Sequence, residues 1–445
     1  MICIIIILTL LRQYRIDPMS ELKKVLIVTY YWPPAGGPAI QRTLKFVKYM
    51  RFFGWEPVIL TVENGEYPAI DPSLIQEIPD NIQVYKTKAF QPFQLYRMLT
   101  GKKGNTHNNA NVFGQKDKTF VERLAKWIRL NLFIPDARIG WYAYAVKAAK
   151  KIIEQEHIDL IYSSSPPHSL QLIAQKIAKQ NKIKWVADFR DPWSELVHYQ
   201  SYKRTWLTRK IDSHFEKSVF RSADRLVAAA NDYATCIKTH VDRKIEVIYN
   251  GYDPSDFPKP KSKNTEDFLI TYTGELSEDR IPHALLRALS RLEDSNIKVQ
   301  FIGNTCPELK QEIQQLNLGN KVILKPYMPH IASIAELQQS DLLLLVINQV
   351  ANGKGIVPGK IFEYLGTRKP ILCLGDPTGE AGEIIKTTNS GFCIAHHNEE
   401  EIFILLSRLF SGVLPSLSFQ IEQFERKNET GQLCDIFNTL VNKPS

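Results

Sequence analysis

The sequence predicts an α/β protein with two doubly wound, parallel-sheet domains, and three observations support this. First, short apolar runs alternate with helical patterns through most of the chain, as expected for strands that are buried on both faces of a parallel sheet. Second, residues 254–267 interrupt the alternation with a stretch rich in Pro, Lys and Ser, which is typical of a linker. Third, 445 residues exceed the length of one ordinary domain.

The alternation also defines the predicted elements. In the first half, the predicted strands are KKVLIVTYY, EPVILTV, IDLIYSSS, KWVADFRD, DRLVAAA and KIEVIYNGYD. In the second half they are FLITYTG, IKVQFIG, VILKPY, DLLLLVIN, ILCLG and GFCIA. We therefore predict a first domain over 22–256, a linker over 257–267 and a second domain over 268–418. No predicted strand follows the amphipathic tail, 419–445, and we expect this tail to pack back on the first domain as a helix.

The first 21 residues are an N-terminal extension. MICIIIILTLL is apolar, but it has half the length that a membrane-spanning helix needs and lacks the features of a signal peptide. Because Met19 precedes a normal first strand, we expect translation to start there; a short membrane-associating segment is the alternative. The six cysteines are scattered without a CxxC pair, which favours buried thiols in a reducing cytoplasm over disulfides or zinc.

Positive charge is concentrated in a basic insert at about 86–140. The net charge is +9, and from Lys86 to Lys150 there are 13 Lys/Arg against 3 Asp/Glu. Part of this stretch is typical of a helix on an anionic membrane surface; a core-facing helix with a solvated basic side is the alternative. Nucleic acid is not an expected partner, since no motif for it accompanies the charge. The predicted helix in the basic insert has apolar residues at helical spacing with basic residues between them. The apolar residues are Phe120, Leu124, Trp127 and Ile128, and the basic ones are Arg123, Lys126 and Arg129.

The segment PGKIFEYLG, 358–366, is the most informative candidate site. A helix that begins near Gly359 and Lys360 would direct unpaired N–H groups toward an anion such as a diphosphate. Glu363 follows one turn later, where its carboxylate can accept hydrogen bonds from a sugar diol. The buried strand ILCLG comes next, so the site would lie at the carboxyl edge of a parallel sheet. A plain connection whose glycines only make turns is the alternative.

Further candidates follow other predicted strands, where ligands of doubly wound sheets bind. Gly36 and Gly37 come after the first strand and let backbone N–H groups approach a ligand closely. Gly274 ends FLITYT, and Arg280 lies where it could meet a phosphate or remain solvated. The GxGxxG fingerprint and the Walker pattern are both absent from the sequence, which argues against a nicotinamide dehydrogenase.

A charged cluster marks the ends of two middle strands. His168 follows LIYSSSPP, and ADFRDPW brings Asp188, Arg190 and Asp191 next to Trp193. These groups could hold the hydroxyls of a sugar while the indole packs on its apolar side. A structural ion pair is the alternative for the charged residues, and an ordinary loop histidine is the alternative for His168.

In order and spacing, five segments resemble those of family 4 glycosyltransferases, which have the GT-B fold: two Rossmann-like domains facing each other across a cleft. The resemblance covers roughly residues 22–440 and is carried by VTYYWPPAGGPAIQR, ADFRDPW, VIYNGYD, YTGEL and PGKIFEYLGTRKPIL. It implies transfer of a glycosyl group from a nucleotide sugar, with retention at the anomeric carbon and with no essential metal or cofactor. The sequence has no DxD triplet, which agrees with a metal-independent reaction.

The resemblance also implies residue roles. Glu363 matches the second glutamate of the Glu-x7-Glu motif of the family, which binds the nucleotide ribose, whereas Gly355 occupies the first position. Arg280 falls where the family has its phosphate-binding lysine, and Glu275 stands in place of the usual arginine. Because of these departures, we expect the donor phosphates to be bound jointly by Arg280, Lys360 and the loop of Gly36 and Gly37.

The expected donor is a UDP- or GDP-linked sugar, and the expected acceptor is a glycan or a lipid-linked molecule in bacterial surface polysaccharide synthesis. His168, Arg190 and Asp191 are the catalytic candidates beside the acceptor. We expect a cytoplasmic protein that can lie on the inner face of the plasma membrane. Two alternatives remain: a nucleotide-sugar epimerase with the same fold, and a catalytically weak homologue that only binds the nucleotide sugar.

Overall fold

A computed structural model of the protein describes residues 22–67, 69–90, 120–194, 204–259, 263, 266–292, 295–350, 353–413 and 416–441. The predicted N-terminal extension, most of the basic insert and part of the predicted linker lie outside these residues. The chain divides into two units: one holds the residues up to Tyr249 and from Glu429 onwards, and the other is Asn250–Asn428. Each unit has its own parallel sheet, as the sequence predicts.

The first unit is built on a seven-stranded parallel sheet. Its strands are β1 (Lys23–Val28), β3 (Trp55–Val62), β5 (Gln83–Thr87), β6 (Leu160–Ser165), β7 (Lys184–Phe189), β8 (Arg225–Ala228) and β9 (Glu246–Val247), while β2 (Ala35–Gly36) and β4 (Ala69–Ile70) form a separate antiparallel pair. The order across the sheet is β5-β3-β1-β6-β7-β8-β9. Its helices are α1 (Pro38–Met50), α2 (Phe120–Asn131), α3 (Tyr142–Glu156), α4 (Ser169–Asn181), α5 (Trp206–Ser222) and α6 (Asn231–Lys238).

The second unit repeats this architecture with six parallel strands in the order β12-β11-β10-β13-β14-β15. They are β10 (Phe268–Thr273), β11 (Ile297–Ile302), β12 (Val322–Lys325), β13 (Leu342–Val346), β14 (Ile371–Leu374) and β15 (Gly391–Ile394). Its helices are α7 (His283–Ser290), α8 (Pro307–Gln315), α9 (His330–Gln339), α10 (Lys360–Thr367), α11 (Glu380–Thr388) and α12 (Glu399–Phe410). Central strands such as LLLLV in β13 are buried along their whole length, because helices cover both faces of a parallel sheet.

The last helix, α13 (Arg426–Val441), returns to the first unit, as the sequence predicts. Its residues Leu433, Cys434 and Phe437 are buried in the core of that unit. The Phe437 ring packs edge-on against Trp55 at 5.2 Å, and the Trp55 indole N–H donates to the Asn438 side-chain oxygen at 3.2 Å. These contacts explain why the tail is amphipathic although no strand follows it.

Some element boundaries differ from those predicted. The expected helix from 419 begins only at Arg426, after a single 3₁₀ turn at Glu422–Phe424. Strand β5 was not expected, and the predicted basic insert from residue 86 begins inside it. As an edge strand it exposes Gln83 and Lys86, so it lacks the apolar run that marks the other strands. The five cysteines among the described residues are free thiols, and Cys373 and Cys434 are buried.

Candidate functional site

The candidate site in the second unit lies where the strand order of the sheet changes direction. Strands β10 and β13 are neighbours, and the chain leaves them toward opposite edges. Such a switch point opens a crevice at the carboxyl ends of the strands, where ligands of doubly wound sheets bind. Gly274 follows β10 and Asn348 follows β13 closely, so both belong to this edge.

Gly274 has a backbone conformation and a neighbour that require glycine. Its φ is +108°, a value that side chains other than hydrogen rarely allow. A Cβ atom at this position would lie 2.9 Å from the Lys360 ammonium nitrogen. The glycine therefore leaves room for the lysine side chain to cross the end of β10.

Lys360 is the first residue of α10 and is held by the end of β10. Its Nζ donates to the Thr273 carbonyl oxygen at 2.6 Å and lies 4.0 Å from the centre of the Tyr272 ring. Burial of the amine lowers its pKa to about 7, repulsion from Arg280 adds to this, and attraction to Glu363 opposes it. Two basic side chains that repel each other at one strand end would both be stabilised by a bound anion.

Arg280 is positioned by two acceptors on neighbouring loops. Its Nε donates to the Asn348 side-chain oxygen at 3.0 Å, and one terminal nitrogen donates to the Glu275 carbonyl oxygen at 3.3 Å. Asn348 in turn donates to the Asp279 carboxylate. Asn348 thus fixes the arginine across the switch point. Asn348 could not be predicted from the sequence, since an asparagine after an apolar strand carries no recognisable signal.

Glu363 lies in the first turn of α10, and Gly359 is the residue before this helix. The Glu363 side chain is 38% exposed, and its Oε1 lies 3.1 Å from His330 Nε2 at the start of α9. The carboxylate is therefore oriented by a neighbour while it remains accessible to a ligand. His330 is a second residue that sequence reasoning missed, because 33 positions separate it from its partner.

The Gly353–Gly355 segment is also anchored. Gly355 is buried, and a salt bridge of 3.0 Å joins Lys354 to Asp376 in the loop after β14. Hydrogen bonds from Thr378 and Lys354 lower the pKa of Asp376 to about 2. The position of the missing first glutamate is therefore a buried glycine beside the Asp376 loop, and it has no carboxylate of its own.

Gly36 and Gly37 lie in the first unit at the start of α1. Gly37 is exposed and has a φ of +98°, so the loop needs glycine there. A Cβ on Gly36 would approach the Asp71 Cβ to 3.2 Å. Both positions thus have a structural reason for glycine, and their predicted contact with the donor phosphate stays a prediction.

Asp188 is a structural residue rather than a sugar ligand. It forms a fully buried ion pair with Arg42 of α1, with Arg42 Nε donating at 2.7 Å. The Tyr162 and Ser164 hydroxyls also donate to Asp188, at 2.6 and 2.8 Å. The structural alternative thus holds for Asp188, although its partner is Arg42 and not the adjacent Arg190.

His168 is buried beside Trp193. The two rings stack at 4.7 Å with an angle of 14° between them. Neither ring nitrogen makes a well-formed hydrogen bond within the described part of the chain. Burial, with a smaller contribution from the Arg190 charge, lowers the pKa of His168 to about 3, against a weak opposing effect of the Pro192 carbonyl. The imidazole is therefore neutral at physiological pH, which suits a group that accepts or donates one hydrogen bond.

Arg190 and Asp191 directly follow β7, which pairs with β6, the strand that precedes His168. Their charged groups are 3.7 Å apart, and the Asp191 side chain is 37% exposed. The Arg190 guanidinium also donates weakly to the Pro166 carbonyl oxygen, at 3.5 Å. The pair is thus loose, and its carboxylate is partly accessible although the Arg190 side chain is only 12% exposed, unlike the fully buried pair of Arg42 and Asp188.

Apart from Gly36 and Gly37, which lie in the first unit away from the other donor candidates in the chain, the predicted site residues form two groups. In the second unit, Gly274, Arg280, Lys360 and Glu363 surround one strand edge, with Gly359 beside them. In the first unit, His168, Arg190 and Asp191 follow adjacent strands β6 and β7. Each group lies at the carboxyl end of a parallel sheet, as the sequence analysis predicts.

Models of two known families match consecutive parts of the chain. The model for Glycosyltransferase Family 4 matches residues 110–256, and the model for Glycosyl transferases group 1 matches residues 254–412. Together the two matches include every catalytic and donor candidate except Gly36 and Gly37. A comparison with curated protein sequences returned no significant match.

Solved structures show the same two-domain fold. A glycosyltransferase from Rickettsia africae has a TM-score of 0.60 at 15% identity, with 96% of this chain and 100% of the other chain covered. Anabaena HepE in complex with UDP and glucose has a TM-score of 0.59 at 15% identity, with 94% and 100% covered. An enzyme described as a putative UDP-N-acetylglucosamine 2-epimerase from Listeria monocytogenes has a TM-score of 0.55 at 10% identity, with 95% and 98% covered.

Proposed function

Because the chain belongs to the family 4-like glycosyltransferases and has their GT-B fold, we propose that it transfers a sugar from a UDP- or GDP-linked donor to a glycan or lipid-linked acceptor. The proposed transfer retains the anomeric configuration and needs no metal ion. We assign the reaction to bacterial surface polysaccharide synthesis, in the cytoplasm at the inner face of the plasma membrane. HepE supports a nucleotide-sugar donor, since its structure contains UDP and glucose.

The observation that carries the donor assignment is the pairing of two cations with a carboxylate at one strand edge. Arg280 and Lys360 repel each other at the end of β10, and Glu363 lies one turn beyond Lys360. In the proposed complex the cations and the first N–H groups of α10 bind the diphosphate, and Glu363 accepts hydrogen bonds from the ribose.

The proposed chemistry relies on charge stabilisation and orientation. As the bond between the sugar and the diphosphate breaks, Arg280 and Lys360 stabilise the negative charge of the leaving nucleoside diphosphate, the part that a metal ion plays in other transferases. The diphosphate oxygen takes the proton of the acceptor hydroxyl, which attacks the anomeric carbon from the same face. Asp191 orients the acceptor by hydrogen bonds and Arg190 supports it, whereas the buried His168 imidazole would reach the acceptor only after binding opens this strand edge.

A thermal-shift screen of UDP, GDP, ADP and their sugars tests the donor assignment, because a bound nucleotide raises the melting temperature by mass action. We expect UDP or GDP to raise it more than ADP does. The stabilising donor, labelled in its sugar, should then transfer label to a lipid or glycan extract, with EDTA leaving the rate unchanged. Conversion of the donor sugar without any acceptor would instead identify an epimerase, and binding without either reaction would identify an inactive homologue.

A further inference from the structure

One exposed apolar surface of the first unit lies outside the donor and acceptor sites. Trp206 is 72% exposed and Leu132 is 63% exposed, which is unusual for large apolar side chains that lie close together. Leu124 and Trp127 of α2 and Leu207 of α5 are about half exposed. We call this surface the Trp206 edge, and it consists of Leu124, Trp127, Leu132, Trp206 and Leu207.

Hydrogen bonds fix the end of α2 against the start of α5, and so hold the two parts of the Trp206 edge together. The Thr205 backbone N–H donates to the Asn131 side-chain oxygen at 2.8 Å, and the Thr208 hydroxyl donates to the same oxygen at 3.0 Å. Arg204 Nε donates to the Leu130 carbonyl oxygen at 3.3 Å. Leu132 and Trp206 each directly follow a residue of this junction.

The apolar side of α2 leads into the junction. Leu124, Trp127 and Asn131 share one face of the helix, since they are three, four and seven positions apart. The Asn131 side-chain N–H also donates to the Trp127 carbonyl oxygen at 3.0 Å. Asn131 is buried while the two apolar residues before it remain about half exposed, so the surface continues from α2 across the junction to α5.

Several exposed cationic side chains border the Trp206 edge. Lys210 Nζ lies 5.7 Å from the centre of the Trp206 ring, and the side chains of Arg123 and Arg209 are also exposed. No acidic residue occurs in the sequence between Arg204 and Ile211. The next one, Asp212, is buried and paired with Arg204 at 2.6 Å, so it does not offset the exposed cations.

We propose that the Trp206 edge docks on a lipid bilayer that carries anionic headgroups. Tryptophan prefers the boundary between headgroups and hydrocarbon, where its ring is apolar and its N–H is polar. Basic side chains beside it add attraction to an anionic surface. Among the described residues no helix has the length and apolar character needed to cross a membrane.

The position of the edge suits an acceptor that is carried by a lipid. Arg204 contacts Asp212, Asp212 accepts a hydrogen bond from the Trp193 indole at 2.9 Å, and Trp193 stacks on His168. Docking would therefore bring the proposed acceptor residues to the bilayer through a short chain of contacts. This inference deepens the proposed function and rests on it for the purpose of docking, although the docking itself can be measured alone.

Co-sedimentation with vesicles tests the proposal. The native protein should pellet with phosphatidylcholine vesicles that contain about one-third phosphatidylglycerol, pellet poorly with pure phosphatidylcholine, and be released by salt. The double variant Trp206→Ala/Leu207→Ala should bind the anionic vesicles at least about fivefold more weakly. The matched control Phe410→Ala/Val413→Ala removes exposed apolar side chains from the second unit and should bind like the native protein.

Several outcomes would overturn the docking. They are unchanged vesicle binding by a folded Trp206→Ala/Leu207→Ala variant, equal binding to neutral vesicles, or a native dimer that this variant converts to a monomer in light scattering. Nucleotide-induced shifts of the melting temperature separate the two proposals, since the double variant should retain them. A protein that binds anionic vesicles through the edge but binds no nucleotide would contradict the proposed function and leave the docking intact.

Discussion

At the scale of single residues, Lys360 links donor binding to pH. Its pKa is lowered to about 7 in the free protein, and a bound diphosphate would raise it again by favouring the charged amine. Binding therefore takes up a proton above pH 7. The affinity should be greatest at pH 7 and below, and should fall as the pH rises through the interval between the free and the bound pKa.

We expect the Kd for UDP or GDP to rise between pH 7 and pH 9 by up to about tenfold per pH unit. Calorimetric titration in buffers of different ionisation enthalpy would measure the proton uptake directly. Lys360→Met should bind more weakly at pH 7 and lose the pH dependence. If this variant keeps the native slope, another group is responsible.

His168 gives a residue-scale prediction about stability. Its pKa is about 3 in the folded protein and near 6.5 when exposed in the unfolded chain. The unfolded state therefore binds a proton that the folded state does not bind as the pH falls below 6.5, and this destabilises the fold. Between pH 7 and pH 5 the cost is about 2 kcal/mol.

Urea unfolding should show that the free energy of unfolding of His168→Phe falls by about 2 kcal/mol less between pH 7 and pH 5 than that of the native protein. The replacement keeps an aromatic ring against Trp193 but has no group that takes up a proton. His214→Ala, which removes an exposed histidine, is the matched control and should behave like the native protein. Equal loss of stability in native protein and His168→Phe would mean that the imidazole is already charged or solvated.

At the scale of elements, the pair of Arg42 and Asp188 ties helix α1 to the centre of the first sheet. Asp188 lies on β7, accepts from Tyr162 on β6, and meets Arg42 with both side chains fully buried. Removing one partner leaves an uncompensated buried charge, which costs about 3–5 kcal/mol.

Asp188→Ala should therefore destabilise the first unit by about that amount in chemical denaturation. Asp191→Ala removes a more exposed carboxylate three residues away and should change stability by about 0.5 kcal/mol or less. A small effect of Asp188→Ala would mean that Arg42 finds another partner or reaches water.

Elements with long apolar runs could be predicted from the sequence, because burial on both faces of a parallel sheet requires them. Strands β10 and β13 are examples. Strand β5 and the exact start of α13 could not, since an edge strand and a helix that docks late depend on tertiary contacts. Among site residues, Arg280, Lys360 and Glu363 carry their own local signal. Asn348 and His330 act only through partners that folding brings near, so spacing along the chain does not reveal them.

At the scale of the whole molecule, each unit carries one part of the proposed reaction. The second unit holds two cations and an oriented carboxylate at its switch point, which the proposed nucleoside diphosphate donor would use. The first unit holds a buried neutral histidine beside a loose ion pair, and an exposed apolar edge with basic neighbours. The central claim is that the second unit binds the donor through Arg280, Lys360 and Glu363.

Calorimetric titration of UDP and GDP into the native protein, Arg280→Ala and Glu363→Ala tests this claim most directly. The native protein should bind one of the two nucleotides, and each variant should bind it about tenfold or more weakly while melting as the native protein does. Arg291→Ala, which removes an exposed arginine paired with Glu400 in the same unit, should bind normally. Native affinity in Glu363→Ala and Arg280→Ala, or no binding of either nucleotide by the native protein, would contradict the account.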